Sequence, residues 1–230
     1  MRLHLRRVFA FLCRGGARGH FGQHAEDVYL RKFFRGRKAT GFYVDVGAHD
    51  PFQLSNTAWL WLHGWRGINV DASQTVIDAF KRLRPLDHNV RAAVVDRDTA
   101  QRSPTITFYS SRGIDNCATC DPELAQTRAT TQQETVPCRS LSAILEDAAR
   151  LSGGQVDVLN IDIEGLDEAV VRDIDTWPVR PTVLLIEMFA TDLRQLLASP
   201  ACVQLETAGY CLTQRMGPTA VFVRRDALAA

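Results

Sequence analysis

Long apolar runs are missing from this chain of 230 residues. Nowhere do eighteen or more apolar residues follow one another, so no segment is expected to cross a membrane as a helix. Excess charge of one sign is missing too. Lys and Arg total 27 against 26 for Asp and Glu, a formal net charge of +1, so the overall charge does not point to a nucleic acid as partner. Cysteine is sparse: the six residues (13, 117, 120, 138, 202 and 211) show no disulfide framework and read as mostly reduced thiols of a cytoplasmic protein. Cys117 and Cys120 form a C-x-x-C. It lacks both the strand-to-helix setting of a redox motif and the second ligand pair of a zinc site, so two neighbouring loop thiols are expected. The basic segment Arg2 to Arg18 includes an apolar stretch, Val8 to Cys13, that is too short for a secretory core and is followed by no A-x-A site. Residues 1–20 read as a basic arm, and 21–230 as one domain large enough for its own core.

What is present is organised around Gly41 to Asp50, GFYVDVGAHD. Phe42 to Val46 has the β-branched and aromatic residues of a buried parallel strand. Asp45 then stands at the strand's carboxyl end, where open α/β sheets bind ligands, and Gly47 lets backbone approach closely. A second apolar strand, Gly67 to Val70, ends in Asp71. The interval is close to the roughly 20 residues between phosphate loop and ribose acid in nucleotide sites.

The rest of the chain alternates. Helices are expected at Gly22–Phe34, at Thr57–Leu62 with Ser55 and Asn56 as caps, at Ser73–Leu83 and at Ser140–Leu151. Others are expected at Leu166–Ile174 and, interrupted near Pro200, at Asp192–Ala208. Strands are expected at Asn89–Val95, ending in Asp96, and at Thr105–Tyr109, as a hairpin partner on the sheet edge. Two more are expected at Val156–Ile163, running into Glu164 and Gly165, and at Thr182–Ile186, ending in Glu187. Tyr210–Gln214 and Ala220–Arg224 flank Gly217-Pro218 as a hairpin. Residues 110–135 are polar and aperiodic, a length that suits a lid or substrate loop. The order predicts an α/β fold: a mostly parallel, doubly wound sheet closed by a C-terminal antiparallel hairpin. Trp59, Trp61 and Trp65 read as packing residues, and Arg31, Arg35 and Arg37 as a solvated face.

Acids end four of these strands: Asp45, Asp71, Asp96, and Asp162 with Glu164. One such acid is often only a helix cap; a set on one rim is better explained by a ligand. No G-x-G-x-x-G follows Val46, where the sequence is GAHDPF, and no P-loop occurs, so a pyrophosphate would lack its cradle. A nucleoside with a cationic centre and no phosphates, such as S-adenosylmethionine, suits these carboxylates better.

The stretches GFYVDVGAHDPFQLSNTAWLWLHGWRGINVDA, VDVLNIDIEGLDEAVV and RPTVLLIEMF, preceded by GQHAEDVYL, resemble the FkbM family of S-adenosylmethionine-dependent methyltransferases. The resemblance runs from about Gln23 to Phe189. It implies a Rossmann-like class I methyltransferase fold and O-methylation of a small hydroxylated molecule, a sugar or secondary metabolite. It also implies roles by position. Asp45, Gly47 and Ala72 belong to the cofactor site, and Asp71 accepts both ribose hydroxyls. Asp96 lies near the adenine amine, and Ala48 and His49 line the methionine side. Gln23, Glu26, Ser55 and Asn56 flank the entrance, and Asp162 and Glu164 sit beside the methyl group. Two departures stand out: Asn160 replaces an expected lysine, and Asp115 to Cys120 lacks the family's Asn-Thr pairing.

The general base is left open among His49, Asp162 and Glu164, with His49 having the best unperturbed pKa for the task. A divalent metal such as Mg²⁺ on Asp162, Glu164 and Glu187 is the less favoured alternative. An NAD-linked oxidoreductase on a similar sheet and a non-catalytic S-adenosylmethionine-binding module are the rival functions. The oligomeric state, homodimer included, stays open.

Overall fold

The computed structural model describes residues 19–111, 118–128 and 130–228. The arm up to Arg18, Cys13, Asp115 and Cys117 lie outside the described residues, and with them the C-x-x-C as a pair.

Seven strands form the main sheet. In chain order they are β1 (Phe42–Val46), β2 (Arg66–Asp71), β3 (His88–Arg91), β7 (Val158–Ile161), β8 (Val183–Glu187), β9 (Tyr210–Met216) and β10 (Thr219–Arg224). Their order across the sheet is β3-β2-β1-β7-β8-β10-β9. The first five run parallel, while β10 pairs antiparallel with both β8 and β9. This is the doubly wound α/β sheet with a terminal hairpin, a Rossmann-like arrangement. The chain winds outward from β1 through β2 to β3, then restarts beside β1 with β7. That reversal leaves a crevice at the carboxyl ends of β1 and β7, which is where such sheets hold ligands.

Burial of both faces follows from the side-chain alternation of β1. Val44 and Val46 join Ile68, Val70, Leu159 and Ile161 on one face, covered by α6 (Leu141–Ser152) and α9 (Pro200–Thr207). Tyr43 points the other way, into a cluster with Leu30 and Phe34 of α1 (Glu26–Phe34), Leu60 of α2 (Ala58–Leu62) and Trp65. A strand buried on both sides must be apolar nearly throughout. Asp45, 2 % exposed near the carboxyl end of this strand, is the exception that marks the site. The packing role expected for Trp65 is seen, with Phe34 edge-on to it at 4.9 Å.

Four local expectations need correction. Asn89–Val95 is not one strand. At Ala92 the chain leaves the main sheet, and Ala93–Val95 becomes β4 of a separate three-stranded sheet with β5 (Thr105–Ser110) and β6 (Gln132–Ser140), ordered β4-β6-β5. β5 therefore belongs to that second sheet rather than to the main sheet's edge. The segment read as an aperiodic loop contains α5 (Pro122–Thr127) and the start of β6. Asp121 caps α5 and proline sits in its first turn. Ser55 and Asn56 do not cap α2; its cap position is Thr57, whose hydroxyl is turned elsewhere. Ser73 and Ser140 do cap as expected, accepting from Val76 of α3 (Gln74–Leu83) and from Ala143.

Candidate active site

The rim begins where β1 stops. Gly47 has φ 76°, and a Cβ there would lie 1.7 Å from the Asp162 carbonyl oxygen, so the backbones that follow β1 and β7 are in direct contact. The turn is pinned on both sides. The amides of Gly47 and Ala48 donate to the Val70 carbonyl at 2.9 and 3.1 Å, and the Asp162 amide donates to the Val46 carbonyl at 3.0 Å. His49 follows with φ 56°. Its amide donates to one oxygen of Asp71 at 3.0 Å, and the Ser73 amide donates to the other at 2.8 Å. Asp71 thus ties the β1 turn to the β2 turn. Burial pushes its carboxyl up to about 6, against those two bonds and the nearby His49.

Asp45 lies one layer deeper. Thr57 donates to one of its oxygens at 2.5 Å and the Asn160 amide to the other at 2.9 Å, while the Asn160 carbonyl oxygen accepts from Asn56 at 3.0 Å. Burial raises the Asp45 carboxyl; the Thr57 bond, the Arg84 charge and the Asn160 bond oppose that rise.

At the end of β7 the chemistry is acidic. Asp162, Glu164 and Glu187 each offer an oxygen, all three lying within 4.8 Å of one another. Burial drives the Asp162 carboxyl well up, and the charges of Glu187, Asp167 and Glu164 drive it further. Glu187 is raised to about 7 by the same causes, burial first. Glu164, at φ 53°, forms an ion pair at 2.7 Å with Arg128, which follows α5. The turn itself is held by Asp167, which accepts from the Ile163 and Gly165 amides at 2.8 and 3.1 Å.

These three regions enclose one open cavity with about 1120 Å³ of empty space, open solvent at its mouth included. Its far wall comes from the second sheet and the strand leading into it: Ala93, Val94, Phe108 and Cys120, with Val76 of α3.

The Methyltransferase FkbM domain matches residues 45–210, which is most of the chain and includes the carboxyl ends of the strands that form this rim. The chain belongs to the FkbM methyltransferase family. S-adenosylmethionine is the cofactor this membership implies. Among curated proteins none matches. A solved structure, a TehB-like SAM-dependent methyltransferase from Corynebacterium glutamicum ATCC 13032, is similar over 97 % of each chain at 12 % identity and a TM-score of 0.41. That likeness is too distant to transfer any residue role.

In this FkbM methyltransferase the cavity is lined by eleven of the residues singled out in sequence: Gln23, Asp45, Gly47, Ala48, His49, Ser55, Asn56, Asp71, Ala72, Asp162 and Glu164. Three others, Asp96, Glu26 and Glu187, do not line it. Asp96 caps α4 (Arg97–Arg102), accepting from the Thr99 amide at 2.9 Å and its hydroxyl at 2.6 Å. It follows a strand of the second sheet, so it never reaches the rim. Glu26 is buried at the start of α1, accepting from the His24 amide at 2.8 Å and the Thr219 hydroxyl at 2.9 Å. It holds the chain entry rather than lining the cavity. Glu187 does not line the cavity but completes the acidic trio from behind.

Sequence reasoning missed Asp167, which holds the Glu164 turn, and Phe108 and Cys120, which line the cavity. Asp167 carried a signal: an acid two residues after the Gly165 turn is placed to accept its amides. Phe108 and Cys120 carried none, because their place depends on a second sheet folding over the first.

One pH effect follows. Asp71 and Asp167, each at about 6, and Glu187, at about 7, all bind protons more tightly folded than unfolded, where carboxylates ionise near 4. Their contribution to stability is full below that value and is lost as pH rises through 6 to 7. Without cofactor the Tm is therefore expected to fall between pH 5 and 7.5 in a calorimetric series. The slope should shrink in Glu187→Gln; an unchanged slope would show that these carboxyls do not titrate as described.

Proposed function

We propose that this family member is an O-methyltransferase that moves the methyl group of S-adenosylmethionine to a hydroxyl of a small molecule, a sugar or secondary metabolite. The observation that carries the reading is convergence: carboxylates from the ends of β1, β2 and β7 line one cavity together with the apolar side chains of Val76, Ala93, Val94 and Phe108. The residues fit an adenosyl group. Asp71 offers acceptors to two ribose hydroxyls, and Val76, Ala93, Phe108 and Cys120 offer an apolar slot for adenine. Asn56, Gly47 and Asp162 are left for the methionyl end. The adenine slot replaces the role expected of Asp96. A dinucleotide fits poorly, because the β1 turn continues through His49, Asp50 and Pro51 and no helix begins until Ala58. The N-terminus that would face a pyrophosphate is not there.

The bound cofactor supplies an electrophilic methyl carbon on a sulfonium, which leaves as a neutral thioether. The protein's part is to hold the acceptor hydroxyl in line and take its proton. Asp162 suits the second task better than His49, whose backbone amide is tied to Asp71, or Glu164, which is paired with Arg128. A carboxyl raised by burial and by neighbouring acids falls again when a cation arrives beside it. Burial and the neighbouring acids therefore favour the protonated form of Asp162, and a sulfonium beside it would favour the carboxylate that acts as base. Residues 118–128, which dock on the Glu164 turn, serve as the lid over the acceptor; Thr119 donates to the Glu164 carbonyl at 2.7 Å. Four described cysteines are free, and no described helix is long and apolar enough to cross a membrane.

One observation favours a second reading: the oxygens of Asp162, Glu164 and Glu187 lie close enough to hold a divalent cation, which would acidify the acceptor directly. A chelator separates the two. Under the main reading, methyl transfer from labelled cofactor survives EDTA and falls about 10²–10⁴-fold in Asp162→Asn; loss on EDTA and recovery with Mg²⁺ would establish the metal. S-adenosylhomocysteine at 100 times its Kd should add about 2.7 kcal/mol of stability. A thermal shift with NADH and none with S-adenosylhomocysteine would reverse the functional order.

A further inference from the structure

Arg84 is the largest charged side chain in the interior and has no role in the chemistry described so far. It ends α3, shows 0 % exposure, and does not touch the cavity. Its guanidinium reaches across to the segment that follows the β1 turn. It donates to the Thr57 hydroxyl at 2.9 Å, to the Ser55 hydroxyl at 3.0 Å and to the Pro51 carbonyl, while the rings of Phe80, Phe52 and Trp61 stand 5.0 to 5.8 Å from it. A buried arginine is rarely kept for stability alone, since desolvating it costs about what its pairs return.

The bonding pattern gives it direction. Thr57 receives its bond from Arg84 and spends its own proton on Asp45. Both Asp45 oxygens accept, and Asn160 turns its amide nitrogen toward Asp45 and its oxygen toward Asn56. One chain of bonds, Arg84–Thr57–Asp45–Asn160–Asn56, therefore runs from outside the site to three residues on the cavity wall, Asp45, Asn160 and Asn56. The same guanidinium fixes Pro51 and Ser55, the two ends of the loop that carries His49 on toward Asn56. The Arg84 charge also opposes the rise that burial imposes on the carboxyls of Asp45 and Asp87.

We propose that Arg84 is a positioning residue for the cofactor: through Thr57 it holds Asp45, Asn160 and Asn56 in the polarity that receives the methionyl end, and through Pro51 and Ser55 it shapes the loop beside them. This rests on the methyltransferase reading above.

The test is a double-mutant cycle on the full chain, with S-adenosylhomocysteine affinity by calorimetry and the kinetics of methyl transfer as readouts. Arg84→Met is expected to raise the S-adenosylhomocysteine Kd and the cofactor KM at least tenfold, with kcat within about threefold, because the reacting groups are untouched. Arg84→Lys should recover part of the affinity, keeping the charge without the fork. Arg84→Met with Asp45→Asn removes both charges and should bind no more weakly than Asp45→Asn alone. If Arg84→Met does not fold, that charge-balanced pair is the deciding variant. Wild-type affinity in folded Arg84→Met, or losses from Arg84→Met and Asp45→Asn that simply multiply, would overturn the proposal. If the wild type binds no S-adenosylhomocysteine, the methyltransferase reading fails instead. In that case the stability cycle still decides the pairing: additive shifts in Tm would show that Arg84 and Asp45 are not coupled.

Discussion

Gly47→Ala is expected to cost about 2–4 kcal/mol and to remove measurable cofactor binding. Two effects add. A non-glycine residue at φ 76° carries backbone strain of about 1–3 kcal/mol. The new methyl group would also sit 1.7 Å from the Asp162 carbonyl oxygen, and neither side of that contact is a flexible side chain. The backbone of one turn must move, and either movement displaces a rim residue, His49 and Asp71 on one side or Asp162 on the other. In a chain of this size the Tm should fall by about 10 °C. Gly153 supplies the control. It has a similar φ, 72°, at the C-cap of α6, and nothing lies within 4 Å of the added carbon. Gly153→Ala should therefore show strain alone, about 1 kcal/mol, and keep full affinity for S-adenosylhomocysteine. Equal losses of binding in the two variants would show that the close approach at Gly47 is not what forms the site.

Asp71→Asn is the second large effect, and pH supplies its signature. A hydrogen bond to a charged group contributes about 1.5–3 kcal/mol, so losing the carboxylate should weaken S-adenosylhomocysteine about 10- to 100-fold. The wild-type carboxyl, raised by burial to about 6, accepts fully only when ionised. Cofactor affinity is thus expected to be complete above pH 7 and to decline as pH falls through 6. The unliganded protein moves the opposite way over the same window, being more stable when this carboxyl is protonated. Calorimetric titrations between pH 5 and 8 check both signs. In Asp71→Asn the affinity should be flat across that window. Affinity that is flat in the wild type would remove Asp71 from the ribose site.

Much of the architecture was legible because it is written in short-range patterns. β1, β7 and β8 are apolar enough to be recognised as doubly buried strands, and Ser73 and Ser140 carry their cap signals beside the helices they start. The acids of β1, β2 and β7 were legible as a set for the same reason: an acid at the end of a buried strand is conspicuous. The failures also have local causes. Asp96 looks like the other strand-end acids, since nothing in NVRAAVVD shows that Ala92 leaves one sheet for another. β6 begins with Gln132, Gln133, Glu134 and Thr135, all exposed, and so lacks the alternation that betrays a strand. Arg84, followed by Pro85 at the end of an amphipathic helix, has the sequence context of any surface residue. Only the approach of Phe52, Trp61 and Phe80 buries it.

The sequence by itself determined the sheet, its winding direction and the crevice between β1 and β7, because strand burial and helix periodicity are properties of neighbouring residues. The tertiary structure alone decided which acids share the cavity, what forms its apolar wall, and which cation stands behind Asp45. Those are distances between residues far apart in the chain: 115 positions separate Asp45 from Asn160, and 27 separate Thr57 from Arg84. A hydrogen bond or a buried charge pair acts over a few ångströms, so its existence is fixed only when packing has brought both partners to the same place.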